Sequence, residues 1–314
     1  MVRSAVISRL SPAVADYLAV RRALGFKLAG YDRLLEDFLD CLERSGATTI
    51  TVQAALAWAT GSVDRSSRRR LDRLSVVRGF ARHLQGIEPS VEVPPAELLV
   101  CVRQRRTPYL YSPSDIAQLM EAAVCLRPTL RGATYEALFG LLACTGMRVG
   151  EAIALDRTDI DLPTAVVEIN NAKFRKHRLL PLHGSAVAAL RHYAELRDQL
   201  CPKPKASTFF VSTRGTRLLY VSINEVFRKL VQDVGLAAQP GIDRPKIHDL
   251  RHSFATASVQ DFHRSGADPQ GKLPLLSAYL GHADPAYTYW YLQASPKLLG
   301  LAADRLERWE ERRR

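Results

Sequence analysis

The sequence contains no uninterrupted run of about 18 apolar residues, the length that a membrane-spanning helix requires. Its first residues, MVRSAVISRLSP, also lack the apolar core of a secretory signal. Cysteine is scarce: the five cysteines are odd in number and widely spaced, and none forms a C-x-x-C pair. We therefore expect a cytoplasmic protein with no membrane association, no disulfide framework and no zinc site.

Acidic residues and lysine are both under-represented relative to arginine. The chain has 44 basic residues, of which only 9 are lysines, against 32 acidic ones, giving a net charge of +12. Such a surplus favours a polyanionic partner. Nucleic acid is the first candidate, and an anionic membrane surface is the alternative.

The length of 314 residues and the 47% hydrophobic content are enough for about two domains with separate cores. The pattern changes near residue 100. We predict an N-terminal helical domain over 1–88, a linker over 89–107, a second domain over 108–295 and a tail helix over 296–314. The whole is expected to be mainly α with a small antiparallel β-sheet, an α+β fold.

The N-terminal domain is predicted to contain four helices. Ser11 and Pro12 resemble an N-cap followed by proline at the first helical position, which opens a helix through about Leu24. Val14, Leu18 and Leu24 would face the core. The second helix is predicted to end at Ser45-Gly46, and the third to begin at a Thr51 cap and run through Trp58.

The predicted fourth helix, from about Arg65 to Leu84, carries seven arginines against one aspartate. Arg65, Arg69 and Arg73 are spaced i, i+4 and i+8, so they would form one ridge on the helix. A solvated helix face is the ordinary explanation of a charge run, but such faces usually mix the two signs. We expect this ridge to contact DNA phosphates.

The predicted linker contains Pro89, Pro94 and Pro95, which interrupt helices. Its basic end includes Arg105 and Arg106, which we also assign to DNA contact. An ordinary tether explains the prolines equally well.

In the second domain, Ser114-Asp115 is predicted to cap a helix, and TYEALFGLLACTGMRVGEAIAL is predicted to form a long apolar one. Alternation at residues 166–170 then predicts a strand, residues 171–176 a turn, and Arg178–Pro181 the returning strand. A hairpin with lysine at its tip is therefore expected, with Lys173 and Lys176 as the two candidates.

Three short segments contain the side chains that are suited to take part in a reaction. TGMRVGEA contains Arg148, which by itself could simply pair with Glu151. KIHDLRHSFAT contains His248 and Arg251, which lie three residues apart and so share a helix face. LSAYLGHADPAYTYWYLQ contains His282 and, nine residues later, Tyr291.

These segments, in this order, resemble the conserved boxes of the tyrosine recombinases, the lambda-integrase-like family of site-specific DNA recombinases. The resemblance covers residues 108–295. It implies a tyrosine recombinase catalytic domain preceded by a helical, SAM-like core-binding domain that clamps DNA. By position, the family's hairpin lysine is Lys173, with Lys176 as a DNA-contacting competitor, and its nucleophile is Tyr291, with Tyr287 and Tyr289 as nearby alternatives.

The resemblance implies a reaction without cofactor or metal. Arg148, Arg251 and His282 would hold the scissile phosphate, His248 would accept a proton, and Lys173 would protonate the leaving 5′-oxygen. Tyr291 would form a 3′-phosphotyrosyl linkage. In the family, four protomers on two double-stranded DNA sites exchange strands through a Holliday junction, so we expect a homotetramer or an assembly with related recombinases that performs integration, transposition or resolution.

Other functions also fit parts of this sequence. A type IB topoisomerase would use the same chemistry, and a DNA-binding protein with a decayed site would use none of it. GADPQGK fits a phosphate-loop pattern, but Leu273 replaces the magnesium-binding hydroxyl, so we predict a loop that binds no nucleotide. The histidines at 248, 252, 263 and 282 do not have the spacing of a compact metal site.

Overall fold

The structure is a computed structural model that describes residues 5–61, 66–100, 107–170, 177–238, 242, 244–266, 268–282, 284 and 300. The chain divides into two compact units, Met1–Gln104 and Arg105–Arg314. Most of the predicted tail helix, 296–314, lies outside the described residues. No helix formed by the described residues combines the length and the apolar character needed to cross a membrane.

The first unit contains helices α1 (Ala5–Ala23), α2 (Tyr31–Ser45), α3 (Val52–Thr60) and α4 (Ser67–Gln85). Each helix contributes an apolar face to one core, as their spacing predicts. The largest fully buried side chains of this core are Phe38, Phe80, Leu10, Leu35, Leu42, Ile50 and Leu74.

The predicted start of α1 is wrong. The chain is already helical at Ala5, so Pro12 lies inside the helix and not at its first position. Leu10, which is 1% exposed, extends the buried stripe of Val14 and Leu18 by one turn, and its burial favours the longer helix. Leu24 lies beyond the helix end and is 69% exposed, so its predicted place in the core is also wrong.

The predicted end of α2 and the predicted start of α3 are confirmed by their capping contacts, whereas α3 runs to Thr60, two residues past the predicted Trp58. Gly46 follows α2 with a left-handed backbone, and the Thr51 hydroxyl accepts a hydrogen bond from the Ala54 amide at 3.1 Å.

The first part of the predicted linker packs against the first unit. Val91 is buried in its core, and the Glu92 amide donates to the carbonyl of Ile50. Arg78 donates to the carbonyl oxygens of Pro94 and Pro95 at 2.7 and 2.8 Å. This segment therefore packs against the first unit up to about residue 99, with Pro94 buried, and the exact domain boundaries stay a prediction.

The second unit surrounds a small sheet with helices, which confirms the predicted fold class. Its strands are β1 (Ile160–Asp161), β2 (Val166–Ile169) and β3 (Arg178–Pro181), antiparallel in the order β1-β2-β3. Its helices are α5 (Pro113–Val124), α6 (Thr129–Thr145), α7 (Val149–Ala154), α8 (Gly184–Leu200), α9 (Tyr220–Asp233), α10 (Asp249–Arg264) and α11 (Pro269–Leu280).

The predicted cap of α5 is displaced by two residues. Ser112, not Ser114, is the N-cap, and it forms a reciprocal capping box with Asp115. Pro113 then occupies the first helical position, where its missing N–H costs nothing.

The predicted long apolar helix is two helices, α6 and α7, separated at Gly146. The backbone of Gly146 is left-handed, with φ of 61°, and a Cβ there would lie 2.5 Å from the Phe254 ring. Only glycine meets both conditions. The break ends α6 and directs the next residues toward α10 and α11.

The GADPQGK segment begins a helix and is not the predicted loop. The Asp268 carboxylate caps α11 by accepting hydrogen bonds from the amides of Gln270 and Gly271. Those amides are the ones that a phosphate would need at this helix start.

Candidate active site

Arg148 lies in the turn created by the break between α6 and α7. Its backbone is extended, and α7 begins with the next residue. Its Nη2 donates to the carbonyl oxygen of Gly281 at 2.8 Å, and its Nη1 donates to Oε1 of Glu151 at 2.7 Å. The side chain remains 32% exposed, so the guanidinium is anchored on one side and open to solvent on another.

Arg251 lies in the first turn of α10 and is only 2% exposed. Its Nη1 donates to the carbonyl of Gly146 at 2.8 Å and its Nη2 to that of Leu280 at 2.7 Å. The two arginines thus bind consecutive carbonyl groups, those of Leu280 and Gly281, at the C-terminal end of α11. Helix ends of this kind leave carbonyl oxygens unpaired and carry partial negative charge, which stabilises the two cations there.

His248 and His282 flank this pair of arginines. His248 immediately precedes α10, and His282 immediately follows Gly281. Burial, followed by the positive charges of Arg251 and Arg148, lowers the pKa of each imidazole to about 4. Although surrounding atoms crowd its imidazole, His248 as a whole is exposed to solvent. Both imidazoles are therefore neutral at pH 7, the form that can accept a proton.

His252 extends the histidine group by one helical turn. Its ring packs edge-on against His248, with 5.0 Å between the centroids. Burial and the nearby His248 and Arg251 lower the pKa of His252 to about 3. Among the described residues, no group of three or more histidine, cysteine, aspartate or glutamate side chains is placed to hold a metal ion.

Glu151 binds both Arg148 and Arg178, whereas the sequence indicated only a pairing with Arg148. It is 8% exposed and accepts four hydrogen bonds, two from Arg148 and two from Arg178. Burial alone would raise the pKa of Glu151, but these hydrogen bonds and the charge of Arg178 hold it below its usual value. Glu151 is therefore a buried anion that binds two arginines of the site.

Arg178 was predicted only as the first residue of a strand. It shares the inward face of β3 with the fully buried Leu180, whereas Leu179 between them is 64% exposed. A charged residue on the buried face of a strand needs a buried counter-charge, and that requirement was the signal available in the sequence. The counter-charge is Glu151, the seventh residue of the TGMRVGEA segment that also contains Arg148.

The two remaining catalytic candidates, Lys173 and Tyr291, lie outside the described residues, as do the alternatives Lys176, Tyr287 and Tyr289. The predicted hairpin is confirmed up to its turn: Ile169 of β2 pairs with Arg178 of β3. The structure therefore brings together four of the six predicted catalytic residues.

Of the predicted DNA-contacting arginines, Arg69 and Arg73 are described, whereas Arg65, Arg105 and Arg106 are not. Arg69 is exposed in the first turn of α4. Arg73 is packed within the first unit: its guanidinium carbon lies 3.7 Å from the Trp58 ring centroid, and Nη2 donates to Asp37 at 3.1 Å. The predicted ridge therefore contains residues in two different environments.

Comparison with known proteins gives a consistent result. Residues 111–297 match the phage integrase family. The putative integrase/recombinase y4rB of Sinorhizobium fredii is 41% identical over 313 residues, which cover 98% of this chain and 100% of that protein.

Two solved structures share the fold. The XerH site-specific recombinase, in a post-cleavage complex with a palindromic difH substrate, matches with a TM-score of 0.65 at 19% identity, over 88% of this chain and 79% of its own. A lambda integrase tetramer bound to a Holliday junction matches with a TM-score of 0.63 at 16% identity, over 90% and 76%. With the family match and the 41% identity, the conclusion is that the chain belongs to the phage integrase family and is a tyrosine-type DNA recombinase, an enzyme that transfers DNA strands.

Proposed function

We propose that this chain performs site-specific recombination between double-stranded DNA sites through a 3′-phosphotyrosyl intermediate. The observation that carries the proposal is the anchoring of Arg148 and Arg251 on consecutive carbonyl groups of α11, with His248 and His282 beside them. A group of fixed cations next to neutral imidazoles suits the transfer of a phosphoryl group.

The arginines would stabilise the charge that builds up on the non-bridging oxygens of the scissile phosphate. A guanidinium presents its donors in a planar fork that matches two phosphate oxygens. Arg148 uses one hydrogen on each terminal nitrogen for Gly281 and Glu151, and each of those nitrogens carries a second. Because the anchors fix the guanidinium beforehand, little reorganisation is needed in the transition state.

Proton transfers complete the step. The Tyr291 oxygen bonds to phosphorus while its proton passes to neutral His248, and the bond from phosphorus to the 5′-oxygen breaks. Lys173 gives its proton to that oxygen, which leaves as a hydroxyl. His282 donates a hydrogen bond to the phosphate. Attack by a 5′-hydroxyl from another duplex reverses the step and joins new partners, so neither a nucleotide nor a metal ion is consumed.

We propose that four protomers act on two DNA sites, as a homotetramer or together with related recombinases. The net charge of +12 favours a polyanionic partner. The matching lambda integrase was solved as a tetramer on a Holliday junction, and the matching XerH was solved on its DNA substrate. The resulting reaction would be integration, transposition or resolution of a DNA element.

The test is covalent trapping on nicked duplexes that tile the DNA flanking the gene, in the presence of a chelator and without ATP. Wild-type protein is expected to form an adduct that survives denaturation, and the peptide that carries DNA should contain Tyr291. Tyr291→Phe should bind DNA and form no adduct, whereas Tyr287→Phe and Tyr289→Phe serve as matched controls that retain it.

Two results would contradict the proposal. Adducts that persist in Tyr291→Phe would move the nucleophile elsewhere, and the absence of adducts on every duplex would favour a DNA-binding protein with a decayed site. Supercoil relaxation without strand exchange would instead indicate a topoisomerase.

A further inference from the structure

We propose that Arg178 is a positioning residue that acts through Glu151 to set the orientation of Arg148, and so couples the β2–β3 hairpin to the phosphate-binding arginines. The inference rests on the proposed function of this site. It assigns a role to a residue that does not itself touch the reacting atoms.

The first step is the pairing of Arg178 with Glu151. Nη1 of Arg178 donates to Oε1 at 3.1 Å and Nη2 donates to Oε2 at 2.6 Å, a two-point contact that fixes the plane of the carboxylate. Both side chains are less than a tenth exposed. Water therefore competes little with this pair, and its geometry is well defined.

The second step is that Arg148 uses the same two oxygens. Oε1 of Glu151 accepts from Nη1 of Arg148 at 2.7 Å, and Oε2 accepts from the Arg148 backbone amide at 2.9 Å. One carboxylate thus holds the main chain and the side chain of Arg148. Without Arg178 the carboxylate could rotate or move toward solvent, and the Arg148 guanidinium would move with it.

The third step is the contact of Arg178 with Gly281, whose carbonyl is the other anchor of Arg148. A Cβ placed on Gly281 would lie 2.8 Å from Nη1 and 3.1 Å from Cζ of Arg178, so the guanidinium lies against the bare glycine backbone. Arg178 therefore contacts both groups that hold Arg148, Glu151 on one side and Gly281 on the other.

These contacts join three elements around one strand residue. Arg178 begins β3, Glu151 lies in α7, and Gly281 directly follows α11. The residue predicted to supply the leaving-group proton, Lys173, lies in the sequence between β2 and β3. The position of β3 at Arg178 and the orientation of the Arg148 guanidinium therefore depend on the same contacts.

The main experiment measures adduct formation in a single turnover on the nicked duplex. Arg178→Met is expected to slow adduct formation about a hundredfold, the usual effect of a small misplacement of a catalytic group, and Arg178→Lys should recover part of the loss. Arg157→Met, which removes an arginine from the exposed ion pair with Asp198, is the matched control for charge and DNA affinity.

A positioning role is separated from a merely structural one by the double variant. Glu151→Gln with Arg178→Met should be no slower than the slower of the two single variants, because both interrupt the same chain of contacts. All rates are measured at a temperature where unfolding curves show each variant folded. Wild-type rates for folded Arg178→Met, or effects of the two single variants that multiply, would overturn the inference.

Hydrogen exchange tests the coupling without DNA, and so separates failure of this inference from failure of the proposed function. Glu151→Gln should speed exchange of the amides of residues 178–180 by on the order of tenfold, since it weakens charged hydrogen bonds at the strand base. Asp198→Asn is the control and should leave those amides unchanged. Unchanged exchange in Glu151→Gln would overturn the coupling even if wild-type protein forms adducts, and faster exchange would support it even if no adduct is found.

Discussion

Nη2 of Arg251 lies 2.7 Å from the carbonyl oxygen of Leu280, the last residue of α11. Through this bond a guanidinium that is only 2% exposed pairs with an acceptor that the helix itself leaves unpaired. The contact explains how a buried cation is tolerated and why it is held at a fixed position. It also ties α10, which supplies Arg251, to the turn that supplies His282.

Replacing Arg251 should affect stability and reactivity separately. Arg251→Met leaves the carbonyls of Gly146 and Leu280 without this donor and should lower the free energy of unfolding by about 1–3 kcal/mol, measured by urea denaturation. Arg251→Lys keeps a charge but cannot span both carbonyls and a phosphate, so adduct formation should fall about a hundredfold. A wild-type adduct rate in Arg251→Lys would show that the planar fork is unnecessary.

Gly281→Ala should lower both stability and adduct formation, because the backbone at position 281 does not accommodate a Cβ. The φ of 67° strains any residue with a Cβ by about 1–2 kcal/mol, and here the Cβ would also meet Arg178 at 2.8 Å. Gly235→Ala is the matched control, because its φ is 73° but no described atom lies within 4 Å of the added Cβ. Thermal unfolding should therefore show a larger loss for Gly281→Ala than for Gly235→Ala, with loss of adduct formation confined to the former. Equal losses of stability in the two variants would mean that the Arg178 side chain moves to make room for the added Cβ.

Stability should decrease as the solution is acidified from neutral pH. The pKa values of His248 and His282 are about 4 in the folded protein, below the ordinary histidine value of about 6.5 in the unfolded chain. Between these values the unfolded chain binds more protons, so the free energy of unfolding falls as pH falls through this window. Urea denaturation at several pH values should show a shallower dependence for His282→Asn than for wild type. The exposed His192 on α8 provides the control His192→Asn, and an unchanged slope in His282→Asn would contradict the assignment.

The arginines of α4 should divide into two classes. Arg69→Ala should weaken DNA binding at all sequences and reduce the slope of log affinity against log salt by about 0.9, the value for one phosphate contact. Arg73→Ala should mainly destabilise the first unit, by about 1–2 kcal/mol, because it removes the stack on Trp58 and the bond to Asp37. Fluorescence anisotropy across a salt series, with urea denaturation, distinguishes the two. If Arg73→Ala reduced the slope of log affinity against log salt as much as Arg69→Ala is expected to, Arg73 would be assigned to a DNA contact.

Lys173→Ala should be rescued by a substrate whose leaving group is a 5′-thiolate. Sulfur departs without protonation, so a variant that lacks the general acid should regain adduct formation on that substrate. Lys176→Ala is the matched control and should need no rescue. Rescue of Lys176→Ala alone would transfer the role of acid to Lys176.

The pairing of His248 with Arg251 was predictable from the sequence because it depends on a local signal. Their i, i+3 spacing predicts a shared helix face, and the structure places both at the start of α10. The same local reasoning failed where distant packing decided the outcome. Burial of Leu10 favours a helix α1 that begins before Pro12, at Ala5. Close packing against Phe254 and a left-handed backbone at Gly146 end α6, where the sequence predicted one continuous helix.

The sequence by itself determined the mainly α fold class and the pairing of β2 with β3, and it predicts the set of reactive groups and the division near residue 100, because charge pattern, turn residues and apolar periodicity act over short distances. Apart from the i, i+3 pair of Arg148 and Glu151, only the tertiary structure decided which groups hold the arginines. Glu151, Arg178 and Gly281 are separated by 27 and 103 residues along the chain, yet they meet in one buried cluster. A buried charge takes whichever counter-charge or carbonyl the fold brings to it, and no local pattern in the sequence specifies that partner.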